Sequence, residues 1–161
     1  MALHLVALDV KTGKRVWEKD MQFEQRTPVF FSTYKDGTLI VLRSSPKSFD
    51  LRAIDAKSGK PLWNRDHGWE NSHHGAHRRH PVIIGDVVYQ QPHAYDLKTG
   101  KEKWTTSKVG VGGNCGTLSA SSSMLFSRLS DYPGFIDIGQ EMNKENLVEI
   151  TRPGCLSLIH I

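Results

Sequence analysis

One phrase recurs three times along the chain. It reads Asp9-Val-Lys-Thr-Gly-Lys-Arg-Val-Trp17, Asp55-Ala-Lys-Ser-Gly-Lys-Pro-Leu-Trp63 and Asp96-Leu-Lys-Thr-Gly-Lys-Glu-Lys-Trp104. The three tryptophans stand 46 and 41 residues apart. A period of that length belongs to propellers and solenoids, in which each repeat is one supersecondary unit and buries its apolar face only against its neighbours. Each Asp follows a strand-like stretch: Leu5-Val-Ala-Leu8, Leu51-Arg-Ala-Ile54 and His93-Ala-Tyr95. The Asp carboxylate can accept from the backbone amides that follow it, and Gly13, Gly59 and Gly100 can take the positive φ of a tight turn. A short return strand ending on Trp completes a β-hairpin.

Two more strands are predicted upstream of the hairpin in the second and third copies. In the second they are Thr27-Pro-Val-Phe-Phe31 and Thr38-Leu-Ile-Val-Leu42, joined at Lys35-Asp36-Gly37. In the third they are Pro81-Val-Ile-Ile84 and Val87-Val-Tyr-Gln90, joined at Gly85-Asp86. Four short strands per period of about forty residues make a propeller blade. Apolar spacing at i, i+3, i+4 does not persist over any long window, which disfavours helical repeats of similar length. The expected fold is therefore all-β, a partial β-propeller of four-stranded antiparallel blades. It divides into a half blade at 3–17, blades at 27–63 and 81–104, and an irregular unit at 114–155. Recurrence of Trp17, Trp63 and Trp104 at one blade position predicts packing between neighbouring blades, each ring burying on the order of 150–250 Å².

The phrase resembles the pyrroloquinoline-quinone (PQQ) repeat over residues 3–17, 27–63 and 81–104. The irregular unit, with Cys115-Gly-Thr-Leu-Ser-Ala-Ser121 and Arg152-Pro-Gly-Cys155, is similar to a subgroup of large bacterial PQQ-like propellers. The resemblance implies one of two functions. Some family members are non-catalytic scaffolds or binding modules of exported proteins, which hold a protein or polymer at the channel mouth. Others are quinoprotein dehydrogenases that use PQQ with calcium, held by carboxylate and amide oxygens. The vicinal cysteines that PQQ alcohol dehydrogenases carry beside the quinone have no counterpart here. Export implies a periplasmic or extracellular location in a bacterium.

Three and a half blades cannot close a ring of 4–8 sheets, so the missing blades of the same propeller are an expected partner. The six residues Leu156-Ser-Leu-Ile-His-Ile161 bear no relation to the repeats. A transposon end used in sequencing-library adapters would encode them, and 156–161 is expected to be such a scar.

The net charge of +4 comes from 21 basic and 17 acidic residues, many of the basic ones within the repeated turns. No basic face interleaved with aromatics emerges, so nucleic acid is not an expected partner. No stretch approaches the ~20 apolar residues of a membrane span.

Five of the eight histidines fall within residues 67–80, around His73, His74 and His77. Imidazole is a common ligand for zinc, copper or iron. The segment Asp66–His80 is expected to be a loop between blades, because Gly68, Gly75 and Pro81 oppose a helix. It is either a polar loop with hydrogen-bonding histidines, a transition-metal site at His73, His74 and His77, or the seat of a catalytic base. Cys115 and Cys155 either pair as a disulfide, which suits an exported protein, or remain separate. Gly110–Asn114 lacks the lysine and helix of a phosphate loop, and Ser119–Ser123 lacks the strand-to-helix turn of a serine hydrolase.

Overall fold

A computed structural model describes residues 4–21, 29–44, 48–68, 80–90, 93–105, 118–129, 132–139 and 145–147. Among them the structure is entirely strand and turn. The first antiparallel sheet pairs β1 (His4–Leu8) with β2 (Arg15–Asp20). The second runs in order through β3 (Val29–Lys35), β4 (Thr38–Ser44), β5 (Ser48–Asp55) and β6 (Pro61–Gly68). The third holds β7 (Val82–Ile84), β8 (Val87–Gln90), β9 (His93–Asp96) and β10 (Glu102–Thr105). The fourth holds β11 (Ser119–Ala120), β12 (Met124–Leu129), β13 (Tyr132–Asp137) and β14 (Glu145–Leu147). Every pairing is antiparallel between sequence neighbours, as a meander joined by short turns requires.

The core lies between sheets. Met21, Val41 and Ile54 are buried with Leu5, Phe30 and Leu39 between the first and second sheets. Ile40, Leu42, Phe49, Leu51 and Ala53 of the second sheet meet Val88, Tyr95 and Leu97 of the third. Tyr89 and Ala94 of the third sheet meet Leu118, Leu125 and Ile136 of the fourth. Alternate side chains of a strand face opposite ways, so Val41 serves one interface while Ile40 and Leu42 serve the next. That double burial explains the unbroken apolar run of β4. The first strands, β3, β7 and β11, approach one another in turn and form the inner edge of the stack.

The three repeated turns share one geometry. Asp9, Asp55 and Asp96 each accept through Oδ1 from the backbone N–H and the hydroxyl of the residue three positions on, Thr12, Ser58 and Thr99. Gly13, Gly59 and Gly100 have φ of 68°, 71° and 66° and donate back to the carbonyls of Asp9, Asp55 and Asp96 at 2.8 Å. Charge and donors converge on these carboxylates, so all three titrate below the ordinary Asp range. The hydroxyl of Thr12 is the main cause for Asp9 and that of Ser58 for Asp55. For Asp96 the Thr99 amide comes first, then its hydroxyl and Lys103, bringing it to about 2.

Two features differ from the expectations. The return strands do not stop at Trp: β2 runs on to Asp20, β6 to Gly68 and β10 to Thr105. Asp66 and His67, expected in the inter-blade loop, are therefore strand residues, paired across to Asp50 and Phe49. The alternation of β6 continues past Trp63 because β5 offers partners as far as Ser48. Secondly, the fourth sheet has a fixed register with the other repeats although it lacks their Trp. Ile138 donates to the Ser123 carbonyl at 3.0 Å, just as Ala56 does to Gly37 and Leu97 to Asp86. Asp137 thus stands where Asp55 and Asp96 stand, and its Oδ1 accepts from Gly139 N.

Candidate functional site

The repeat residues are occupied with building the stack. Trp17 Nε1 donates to the Ala56 carbonyl at 2.9 Å, and Trp63 Nε1 donates to the Leu97 carbonyl at 3.0 Å. Each acceptor is the residue directly after the Asp of the following repeat. Each indole also lies on that repeat's glycine. A Cβ at Gly59 would stand 2.8 Å from Trp17, and one at Gly100 only 2.5 Å from Trp63. At Gly13 a Cβ would meet nothing within 4 Å. The glycine therefore serves twice, for its positive φ and as the seat of the preceding blade's indole. Trp104 packs in the third cluster with Ile138, the equivalent of Ala56 and Leu97.

Lysines bridge the same end of the sheets. Lys35 Nζ donates to the Gly85 carbonyl at 2.8 Å. Lys98 Nζ donates to the Asp36 carbonyl at 2.6 Å and to Thr38 Oγ1 at 3.1 Å. The repeated phrase gives no sign that Lys98 reaches the previous sheet, since its acceptors lie 62 and 60 positions away.

Val29, Ser44, Ser48 and Gly68 mark the other end of the second sheet, and two polar clusters lie near it. In one, the buried Asp50 carboxylate accepts from Arg52 Nε at 2.9 Å and Nη2 at 2.6 Å, with Arg43 Nη2 at 3.3 Å. Arg52 Nη1 also donates to the Met21 carbonyl of the first sheet at 2.7 Å. The bond to Asp50 raises the Arg52 pKa, whereas burial and then repulsion from Asp50 raise that of Asp66. In the other cluster, the His67 ring lies 4.5 Å from that of His93 and 5.4 Å from Phe49. His67 Nδ1 is 3.3 Å from the Tyr95 hydroxyl, and His93 Nδ1 donates to Glu102 Oε1 at 2.8 Å. Burial, then the nearby Glu102 charge, push the Tyr95 phenol up to about 12.

An open cavity of about 370 Å³ lies between the inner strands, lined by Phe31, Ser32, Thr33, His80, Val82 and Ala120. The His80 ring is 5.6 Å from that of Phe31. A groove of about 520 Å³ separates β2 from the β5–β6 pair, with Lys19, Arg52, Leu62 and Asn64 on its walls.

His73, His74 and His77, Cys115, Cys155 and residues 156–161 lie outside the described residues. Among the described residues no group of three His, Cys, Asp or Glu side chains is placed to hold a metal ion. The described donors also do not fit a quinone with calcium. Their buried carboxylate, Asp50, is already tied to two guanidiniums. No helix among the described residues is long and apolar enough to cross a membrane.

No curated protein matches the chain. Among solved structures, BamB from Moraxella catarrhalis superposes with a TM-score of 0.63 at 19% identity, over 89% of this chain and 42% of that one. A europium-containing methanol dehydrogenase superposes with a TM-score of 0.54 at 15% identity, over 84% of this chain and 36% of that one. The chain thus spans less than half the length of either, and at these identities the likeness is one of fold: both are PQQ-type β-propellers, of which this chain's open stack of sheets is a part. The family model described as outer membrane protein assembly factor BamB matches residues 3–132, and with the interlocked Trp–Gly sheets on either side of Asp55, it is to this PQQ-like propeller family that the chain belongs.

Proposed function

We propose that the chain is part of a non-catalytic propeller, a scaffold or binding module of an exported bacterial protein, which holds a protein or polymer ligand at its channel mouth. Periplasmic placement and completion of the ring by further blades of the same propeller belong to this reading. One observation carries it: the residues that define the repeat are engaged in joining blades. Asp55 and Asp96 hold their own turns, while Trp17 and Trp63 are bonded to the next blade's backbone and seated on its glycine. Membership of the family whose model is described as BamB supports it further.

The test is a photo-crosslinking residue at His80, on the wall of the inner cavity, in the whole protein in its native cell. The expected result is one adduct of defined size that disappears when Ser32→Trp fills the cavity. Alcohol oxidation by the purified protein supplied with PQQ and calcium would overturn the scaffold reading in favour of a quinoprotein dehydrogenase.

A second reading rests on the density of histidine in residues 67–80. It places a transition metal on His73, His74 and His77. Saturable zinc or copper binding that is lost when all three become alanine is the expected outcome. Binding indifferent to those changes removes this reading.

A further inference from the structure

We propose that the seam between the third and fourth sheets is a gate, which parts while the two earlier seams stay closed and so widens the inner cavity. The starting point is Trp104. Its indole N–H is buried without a partner, whereas those of Trp17 and Trp63 donate to the Ala56 and Leu97 carbonyls. A buried donor without an acceptor has lost its water and gained no bond in exchange. Opening the third seam returns water to Trp104. Opening either earlier seam only replaces a carbonyl acceptor by water.

The cause lies in the turn of the fourth sheet. Asp137 stands where Asp55 and Asp96 stand, so Gln140 and Glu141 take the sequence positions of Thr99 and Gly100. Gly100 is the seat of Trp63, with no room for a Cβ. At the third seam the corresponding residue carries a long side chain. The chain thus keeps the tryptophan and drops the glycine that receives it at the other two seams.

The lysine bridge is missing from the same place. Between the second and third sheets, Lys35 donates to the Gly85 carbonyl and Lys98 to the Asp36 carbonyl and the Thr38 hydroxyl. Ile84 pairs with Val87 as Lys35 pairs with Thr38, and Val87 pairs with Asp96 as Thr38 pairs with Asp55. Gly139 follows Asp137 by the two positions that separate Lys98 from Asp96. Ile84 and Gly139 therefore replace the two ammonium groups, and Val87 replaces the accepting hydroxyl. Ile84 and Val87 pack instead against the cluster around Leu125 and Ile136. Such contacts hold by buried area and have no preferred direction.

The inner cavity of about 370 Å³ lies across this seam, with Val82 of β7 and Ala120 of β11 among its walls. When the fourth sheet swings away, the Ala120 wall goes with it. Phe31 and His80 stay with the second and third sheets, which the Trp63, Arg65 and lysine bonds hold together. The consequence for ligand entry rests on the proposed scaffold function. The opening itself is read without any ligand, so its result is independent of that reading.

The test is hydrogen–deuterium exchange of the indole N–H groups in the whole protein, read by NMR with isotope-labelled tryptophan. Trp104 should exchange about tenfold faster than Trp63. Its rate should also rise in urea too dilute to unfold the protein, because parting two sheets exposes apolar surface. Equal exchange at the two indoles, or a Trp104 rate indifferent to urea, overturns the gate. A Val87→Thr, Gly139→Lys double variant rebuilds the bridge at a position where a Cβ would meet Asp137 Oδ1 at 3.3 Å. It should slow Trp104 exchange and leave Trp63 unchanged; equal slowing at both, or none at Trp104, overturns the proposal. The measurement on the unaltered chain decides even if the double variant does not fold.

Discussion

The two blade interfaces that flank the second sheet have the same frame and different fillings. At the first, Trp17 spans to Ala56 and sits on Gly59; at the second, Trp63 spans to Leu97 and sits on Gly100. Beyond the tryptophan they diverge. The first closes with Met21 on Ile54 and Val41 and with Arg52 reaching the Met21 carbonyl. The second closes with a ring cluster of His67, His93, Tyr95 and Phe49. The frame sets the spacing and angle of the blades, and the position four residues past each tryptophan sets the chemistry of the seam. A repeat protein can thus alter one interface without changing its architecture, because each repeat meets only its neighbours.

The largest effect should come from removing an indole. Trp63→Ala opens a cavity in the second interface and strands the Leu97 carbonyl, a loss of about 3–5 kcal/mol. Trp17, less fully enclosed, should cost less on the same change. Urea midpoints of the two variants check this, and equal losses would mean that the two seams are energetically alike.

Next come the glycines. Gly100→Ala adds a Cβ 2.5 Å from the Trp63 ring at a φ of 66°. Overpacking and left-handed strain together should cost about 2–5 kcal/mol. Gly13→Ala has the same backbone strain and open space around it, so its cost should be only about 1–2 kcal/mol. Similar melting temperatures for the two variants would show that the indole seat yields at no cost.

The smallest effect concerns the turns. The folded state lowers the Asp96 pKa to about 2 through the Thr99 amide and hydroxyl and Lys103. Its stabilising contribution is therefore present above the ordinary Asp range and lost as pH falls towards about 2. Asp96→Asn should flatten that part of the acid titration. Urea midpoints followed from neutral pH down towards about pH 2 check this, and an unchanged acid slope in the Asn variant would mean that the turn carboxylate carries none of the acid sensitivity.

Much of the fold was legible because the repeat is governed by local forces. The strands of the second and third sheets, the Lys35–Gly37 and Gly85–Asp86 turns, and the positive φ at Gly13, Gly59 and Gly100 all follow from residues within a few positions of one another. The fourth sheet was less legible, since it lacks the tryptophan phrase. Asp137 could have been aligned with Asp55 and Asp96 from its apolar approach, Phe135-Ile136, but its register becomes clear only through the Ile138–Ser123 bond. The His67 cluster was hidden by assigning Asp66–His80 wholly to a loop. An alternation of Trp63, Arg65 and His67 was present in the chain, but its meaning depended on how far β5 extends opposite it.

What the sequence determined alone is the repeated unit. An Asp that caps its own turn, a Gly that supplies positive φ and strands with fixed periodicity are properties of short segments, and they specify the blade wherever it sits. What only the tertiary structure decided is how blades meet. That Trp63 seeks the Leu97 carbonyl, that Lys98 returns to Asp36, and that Met21 and His67 occupy equivalent seams are contacts between positions roughly thirty to sixty residues apart. Such contacts exist only after sheets stack, because the stacking geometry, and not any local preference, brings those atoms within reach.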